Sequence, residues 1–365
     1  MPLTDIDGAR LDDSALYAGK NLIINGAMQV AQRGTSQTGV SDGSNEGYTT
    51  VDRFPFNFSS GTGGAATLSQ STEVPSNQGF SSSYKADVTT TATLSAGNTI
   101  IMQYLVEAQD IRNSDWTYTD PNSFITLSFW AKSSKSGTHC VFFDVEDASN
   151  NQHRNEEYTL TADTWKKITI PLPGHANLVF NNDNGRGLNI QWILASSASA
   201  TAGSWVDSGD RGTSNQVNIF DSTDGEFFLT GVQLEVGASG SAFEHRSYGD
   251  ELRRCQRYYW NVLLEKGQTD LYLGNASQYN STLAFMVLHP PVTMRTEPSI
   301  DVSNATGHFA SLGNNTATDF DTFSLDGRSG ATAVTLNASV SGTTGHALFM
   351  RSQNTAAKLA FSAEL

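Results

Sequence analysis

Five carboxylates gather in one short stretch: Asp144, Glu146 and Asp147 follow the apolar run CVFF, and Glu156 and Glu157 stand in the polar segment after it. On an extended strand Asp144 and Glu146 share a face. Glycoside hydrolysis uses such a pair, with carboxyl groups about 5–5.5 Å apart for retention or about 6.5–9.5 Å for inversion, and one of them with a raised pKa. A solvated strand end and its hairpin produce the same pattern, however, and no array of aromatic subsites accompanies it. The expectation is therefore that the chain is not an enzyme. Asp221, Asp224 and Glu226 form a second local cluster of oxygens, a composition that Ca²⁺ accepts without strict geometry. His139, His153, His175, His245, His289, His308 and His346 are scattered, with no HExxH or HxE…CxxC spacing, so each is expected to be a surface or satisfied core residue. No GxSxG elbow and no GxGxxG or GxxxxGK[ST] loop occurs, which removes serine hydrolysis and nucleotide chemistry from the reading.

Sugar recognition pairs an aromatic platform with amides, carboxylates and guanidinium groups that fix hydroxyls. Trp116 and Tyr118 fall in the polar loop NSDWTYTD, and Trp205 falls in AGSWVDSGDRG. No alternation places these three in a core, so they are the expected glycan contacts. Trp130, Trp165 and Trp192 sit in strand-like runs and read as core.

Such residues need a scaffold, and the composition says which kind. The 365 residues carry 37 acids and 22 bases, a net charge of −15, with 16% charged, 38% hydrophobic and 32 glycines. A pI near 4.7 excludes a sequence-independent grip on nucleic acid, which depends on Lys and Arg neutralising phosphates. No apolar stretch approaches the 18 residues of a membrane span, and no signal peptide is evident, so folding is expected in the cytoplasm that makes the chain, without membrane insertion. Cys140 and Cys255 are too few and too far apart for a disulfide framework and are expected to be reduced and packed. From Asn21 to about Gly249, short period-2 runs alternate with Gly, Asn and Asp turns: Leu22 to Ile24, FITLSFWA (124–131), Cys140 to Val145, Tyr158 to Leu160, WKKITIP (165–171), LNIQWIL (188–194) and FFLTGVQLEV (227–236). Ser133 to Gly137 reads as a hairpin between two of them. In FITLSFWA one face is expected to be buried and the other wetted. Alternation in CVFFD likewise predicts deeper burial for Val141 and Phe143 than for Cys140, Phe142 and Asp144.

The pattern predicts a mainly β chain: an antiparallel β-sandwich (jelly roll) over residues 21–246, preceded by a polar arm at residues 1–20. Ser247 to Lys266 breaks the alternation with a helical stripe of Leu252, Cys255, Tyr259 and Val262, with Ser247 and Asp250 in capping spacing and Gly267 as a stop. The domains are accordingly residues 1–20, 21–246, a connecting helix at 247–267, and a smaller C-terminal β domain at 268–365.

At NLIINGAMQVAQRGTS (21–36), YTTVDRF (48–54), SFWAKSSKSGT (128–138), FFLTGVQLEVG (227–237) and FEHRSYGDELRRCQRYYW (243–260), the chain resembles a group of bacteriophage and prophage tail-fibre or virion structural proteins. The resemblance implies a sandwich similar to carbohydrate-binding modules, assembly as a homotrimer on the virion, and adsorption through recognition of a host surface glycan. It makes residues 1–20 the attachment to a tail or adaptor protein. It also makes Asn25, Gln233 and Glu235 the positions to inspect for a structural Ca²⁺. Two alternatives accompany it: a head fibre or decoration protein with a structural role, and a polysaccharide depolymerase.

Overall fold

The computed structural model describes residues 19–147, 151–207, 209–263 and 269–365. The segment expected to be an attachment arm, residues 1–20, lies outside them except for Gly19 and Lys20. The chain divides into two compact units between Glu251 and Leu252.

In the first unit, strands β1 (Ser36–Ser41), β2 (Phe56–Phe58), β3 (Ala65–Ser71), β4 (Ser83–Thr90), β5 (Thr99–Glu107), β6 (Phe124–Ser133), β7 (Gly137–Val145), β8 (Gln152–Leu160), β9 (Lys166–Pro173), β10 (Arg186–Ser196) and β11 (Glu226–Val236) build two antiparallel sheets, with a short helix α1 (Ala108–Arg112) after β5. One sheet has six strands in the order β1-β3-β4-β11-β6-β9, the other five in the order β2-β5-β10-β7-β8. This is a sandwich, and alternation fills it. Ile125, Leu127 and Phe129 of β6 meet Val141, Phe143 and Val145 of β7 and Leu188, Ile190, Trp192 and Leu194 of β10 in one core. Trp192 sits between Phe129 and Phe54, with ring centroids 5.6 and 6.3 Å away. Each of these side chains contributes about 1.5–3 kcal/mol by leaving water.

Three strand-level expectations need correction. Ser133 to Gly137 is not a hairpin: β6 and β7 belong to opposite sheets, so the segment crosses between them. Leu22 to Ile24 is not a strand but a buried extended segment, held where the Leu22 N–H meets the Leu234 carbonyl at 2.9 Å. The wetted faces are also not wet. Thr126 and Ser128 are buried, and Thr126 Oγ1 donates to the Gly237 carbonyl at 2.6 Å. Cys140 to Asp144 are all fully buried, so the two faces of β7 do not differ as alternation predicted. The cause is residues 209–212, which lie over this face: Asn155 reaches the Asp210 carbonyl and the Gly212 N–H, and the Arg211 guanidinium stands over the Phe142 ring. A covered outer face is the main feature that strand alternation hides.

The helix α2 (Tyr248–Gln256) carries the expected cap, with the Asp250 N–H donating to Ser247 Oγ. It ends ten residues before Lys266. Tyr259–Asn261 instead forms β12, pairing Trp260 with Phe361, which is why three consecutive aromatics can be accommodated there. The second unit continues with β13 (Tyr272–Asn280), β14 (Leu283–Leu288), β15 (Ser299–Val302), β16 (Phe309–Gly313), β17 (Thr316–Phe320), β18 (Phe323–Leu325), β19 (Val334–Ala338), β20 (Ala347–Ser352) and β21 (Leu359–Ser362). They form a three-stranded sheet, β12-β21-β15, and a seven-stranded one, β17-β16-β20-β13-β14-β19-β18.

Candidate functional site

Two polar constellations lie in the first unit, and they do different work. The first joins residues from four of the five sequence segments that carry the resemblance, 21–36, 48–54, 227–237 and 243–260. Asn21 Oδ1 accepts from the N–H groups of Ile23 (2.9 Å) and Leu234 (3.0 Å), and the Asn21 N–H donates to Glu244 Oε2 at 2.9 Å. Asn25, fully buried at φ +62°, accepts from the Val30 N–H at 2.9 Å and donates to the carbonyls of Val30 and Asp52 at 2.8 and 2.9 Å. Asp52 takes the N–H and the side-chain amide of Gln32. Arg246 donates to the carbonyls of Ile23 and Asn21 and lies 3.5 Å from Glu251, whose Oε1 accepts the Asn25 N–H. Burial alone would raise the Glu244 carboxyl, but the N–H of Asn21, the Arg246 guanidinium and the N–H of Gly19 outweigh it and hold the group below its ordinary pKa. This seam fastens residues 19–34 and 50–53 to β11 and the segment after it.

Two of the three expected Ca²⁺ positions, Gln233 and Glu235, belong to the same seam. Gln233 Oε1 accepts from the Glu244 N–H at 2.8 Å, and its Nε2 donates to Glu235 Oε1 at 2.8 Å, to Ser241 Oγ and to the Ala242 carbonyl. Turning that amide over would set a carbonyl against three acceptors, so its orientation is fixed. Glu235 also accepts from the Ser241 N–H and hydroxyl at 2.7 and 2.6 Å. Asn25, Gln233 and Glu235 thus spend their oxygens on the protein, and the two amides present N–H groups where a cation needs lone pairs, so as a donor set they do not fit Ca²⁺. In the second oxygen cluster Asp221 pairs with Lys135, and Glu226 with Lys85 at 2.5 Å.

The expected aromatic contacts also need correction. Trp116 is buried at 4% exposure, where it packs on Phe180 and Tyr118 and donates from Nε1 to the Ser123 carbonyl. Tyr118 is half-buried edge-on against Phe180 and accepts from Arg112. Trp205 is half-buried too, with Nε1 donating to the Pro173 carbonyl at 2.9 Å and the Arg154 guanidinium over its ring. Loop composition concealed a packing role in each case, and these three form no common platform.

The second constellation sits on the outer face of the five-stranded sheet. Register places Asn189 of β10, Asp144 of β7 and His153 of β8 in one cross-strand row, and Glu146 follows two residues beyond Asp144. The next row holds Gln103, Gln191, Phe142 and Asn155. Asn155 ties the covering segment down: its Nδ2 donates to the Asp210 carbonyl at 3.0 Å and its Oδ1 accepts the Gly212 N–H at 2.8 Å. His153 stacks on Phe142 with 19° between the rings, and the Arg211 guanidinium lies 6.0 Å from the same ring. A cavity of about 250 Å³ opens here, lined by Gly97, Thr99, Glu146, His153, Asp210 and Arg211 among others.

Among the described residues, several buried polar atoms in these two rows have no hydrogen-bond partner: both carboxylate oxygens of Asp144, His153 Nδ1, Asn189 Oδ1, and both amide atoms of Gln191. Burying such a group unpaired costs about 1–3 kcal/mol, more when it is charged. Burial, then the neighbouring Glu146 carboxylate, pushes the Asp144 carboxyl above its ordinary pKa against the pull of Arg186, His153 and Arg211. Arg186 donates to Glu146 Oε2. Asp144 and Glu146 were legible as a same-face pair; His153 was not, because its partnership runs across strands and leaves no motif spacing. Among the described residues, Asp144, Glu146 and His153 are a group whose ligand atoms all lie within 4.8 Å of one another.

No family model and no curated protein matches the chain. Similar solved structures include the enzymatically active domain of tailspike protein 4 of bacteriophage CBA120 (14% identity, TM-score 0.30, 55% of this chain), of whose length the chain spans about a fifth, 21%. A family 11 carbohydrate-binding module of Clostridium thermocellum is similar at 13% identity and TM-score 0.29 (55% of this chain, 95% of the module). A putative sugar binding protein of Bacteroides thetaiotaomicron is similar at 12% identity and TM-score 0.31 (60% and 100%). At these identities and scores, function has to be read from the site itself.

Proposed function

We propose that this chain is a bacteriophage or prophage virion protein of the tail-fibre kind, without enzymatic activity, that adsorbs to its host by holding a surface glycan in the cavity on the five-stranded sheet. The observation that carries the reading is the set of unpartnered polar atoms on Asp144, His153, Asn189 and Gln191 in two adjacent cross-strand rows, of which His153 lines a cavity that also offers Glu146, Asp210 and Arg211. Sugar hydroxyls both donate and accept, so a hydroxyl-rich ligand or the water it displaces satisfies donors and acceptors of this mixed kind. The reading predicts recognition led by hydrogen bonds rather than by ring stacking, because no Trp or Tyr lines the cavity. One such cavity per chain gives weak affinity, which a homotrimer attached through residues 1–20 raises by avidity. The resemblance of residues 21–36, 48–54, 128–138, 227–237 and 243–260 to virion structural proteins supports the virion role.

Titration of purified protein with polysaccharide extracted from the host surface tests this. Saturable binding weakened at least tenfold by Arg211→Ala is expected; absence of binding, or binding that Arg211→Ala leaves unchanged, overturns it. Polysaccharide cleavage is a second reading, favoured by one observation: the Asp144 carboxyl is held above its ordinary range beside a second carboxylate. Release of oligosaccharides that Asp144→Asn abolishes would establish that reading in place of the first.

A further inference from the structure

We infer that Asp144, Glu146 and His153, with the Asn189 side-chain carbonyl, form a binding site for a divalent cation of the zinc or manganese class. The inference does not rest on the glycan reading. Its first support is geometric. Asp144 Oδ1 and His153 Nδ1 are 3.6 Å apart, too far for a hydrogen bond. A tetrahedral ion with bonds of about 2.1 Å holds its ligands about 3.4 Å from one another, so the pair already stands at the spacing of two ligands on one metal. Glu146 completes the group within 4.8 Å, and Arg186 occupies its Oε2 and leaves Oε1 to ligate.

The second support is independent of clustering. The Asp144 side chain is fully buried, yet neither of its oxygens has a hydrogen-bond partner. Asn189, 3% exposed, stands directly opposite Asp144 in the sheet register, and its Oδ1 is unpartnered as well. Side chains directly opposite across a sheet have Cβ atoms about 4.5–5.5 Å apart, so the Asn189 carbonyl is within reach of the same point. Asp144 Oδ1 and His153 Nδ1 at non-bonded distance, with an unpartnered amide oxygen in the same cross-strand row, are an arrangement that a cation would resolve. Phe142, stacked on the His153 ring, fixes the orientation of the imidazole, as a metal ligand requires.

The donor set selects the ion. One imidazole nitrogen with carboxylate and amide oxygens suits Zn²⁺ or Mn²⁺, whereas Ca²⁺ takes six to eight oxygens. The covering segment leaves the site open at the cavity, where Glu146 and His153 both contribute to the lining. With three of these side chains on a tetrahedral ion, or all four on a five- or six-coordinate one, a coordination position remains for water or for a ligand hydroxyl.

The test uses the full chain, free of any affinity tag and stripped with chelator, titrated separately with ZnCl₂, MnCl₂ and CaCl₂ by calorimetry and thermal unfolding. Zn²⁺ or Mn²⁺ is expected to bind one per chain and, at a hundredfold excess over Kd, to raise the Tm of this unit by about 5 °C or more. Asp144→Asn and His153→Gln should each weaken binding by about a hundredfold while leaving the metal-free Tm at or above that of the parent, because each replaces a buried ionisable group by a neutral amide; Glu297→Gln should change nothing. Co²⁺ substitution adds a readout of the ligand field that an altered fold cannot imitate. Failure of both Zn²⁺ and Mn²⁺ to saturate, binding that survives in both variants, or binding of Ca²⁺ alone would overturn the assignment. Glycan binding by the metal-free chain would leave the cavity reading in place whichever result is found.

Discussion

Asn25 separates a seam that holds the fold from a site that holds an ion. Asn25→Ala removes the acceptor of the buried Val30 N–H and the donors to the carbonyls of Val30 and Asp52. An orphaned buried donor costs about 1–3 kcal/mol, and placing alanine at φ +62° adds about 1 kcal/mol. The total loss is about 4 kcal/mol, a large share of a typical domain's stability. Asn25→Gly restores the backbone freedom and should recover about 1 kcal/mol of it. Asn25→Asp is the decisive variant. A carboxylate is the better Ca²⁺ ligand, but here it would face the carbonyls of Val30 and Asp52, with Glu251 on the Asn25 N–H, so it should cost at least as much as alanine. Urea unfolding followed by tryptophan fluorescence reports on this unit, since five of the six tryptophans precede residue 251. With an m value of ~3 kcal/mol/M, the midpoint should fall by about 1.3 M in both variants, with or without millimolar Ca²⁺. An Asn25→Asp protein as stable as the parent, or one rescued by Ca²⁺, would refute the seam and reinstate Asn25, Gln233 and Glu235 as a calcium site.

Two further outcomes follow from the same packing. His139 lies inside the sandwich, stacked on Tyr158, and burial pushes its imidazole down to about 4 despite the carbonyl of Lys135 that favours the charged form. The folded chain keeps it neutral while the unfolded chain binds a proton below its ordinary value of 6.5, so stability is full above that pH and declines towards pH 4, by about 3 kcal/mol; urea midpoints measured from pH 7 to 4 should fall less steeply in His139→Gln than in the parent. Gly26 packs so closely that a Cβ would stand 2.1 Å from the Val232 carbonyl, and Gly26→Ala should lower the urea midpoint by about 1 M through loss of the Gly26 to Val232 pairing.

The sandwich was legible because its inner faces obey alternation: Ile125, Leu127 and Phe129, or Leu188, Ile190 and Trp192, can point only one way along a strand. What alternation cannot report is whether something covers the outward face. Asp144 read as a solvated strand end, yet it is fully buried in a face that residues 209–212 cover. Trp205 misled in a similar way, since its place in a Ser/Gly-rich loop suggested exposure while its indole N–H was spoken for by Pro173. His153 was invisible for a different reason. Motif spacing records neighbours along one strand, and His153 meets Asp144 across two, nine residues apart in the chain and opposite one another in the sheet. In the segments of family resemblance the error ran the other way, since the concentration of Asn, Gln and Glu there looked like ligand chemistry. Their oxygens instead bind backbone N–H groups that an irregular chain entry leaves without strand partners. Polar residues that close backbone pairing mark architecture, whereas polar residues left unpaired beneath a cover mark a place for something else. By that criterion the candidate site of this chain is the row from Asn189 to His153, not the seam from Asn21 to Glu251.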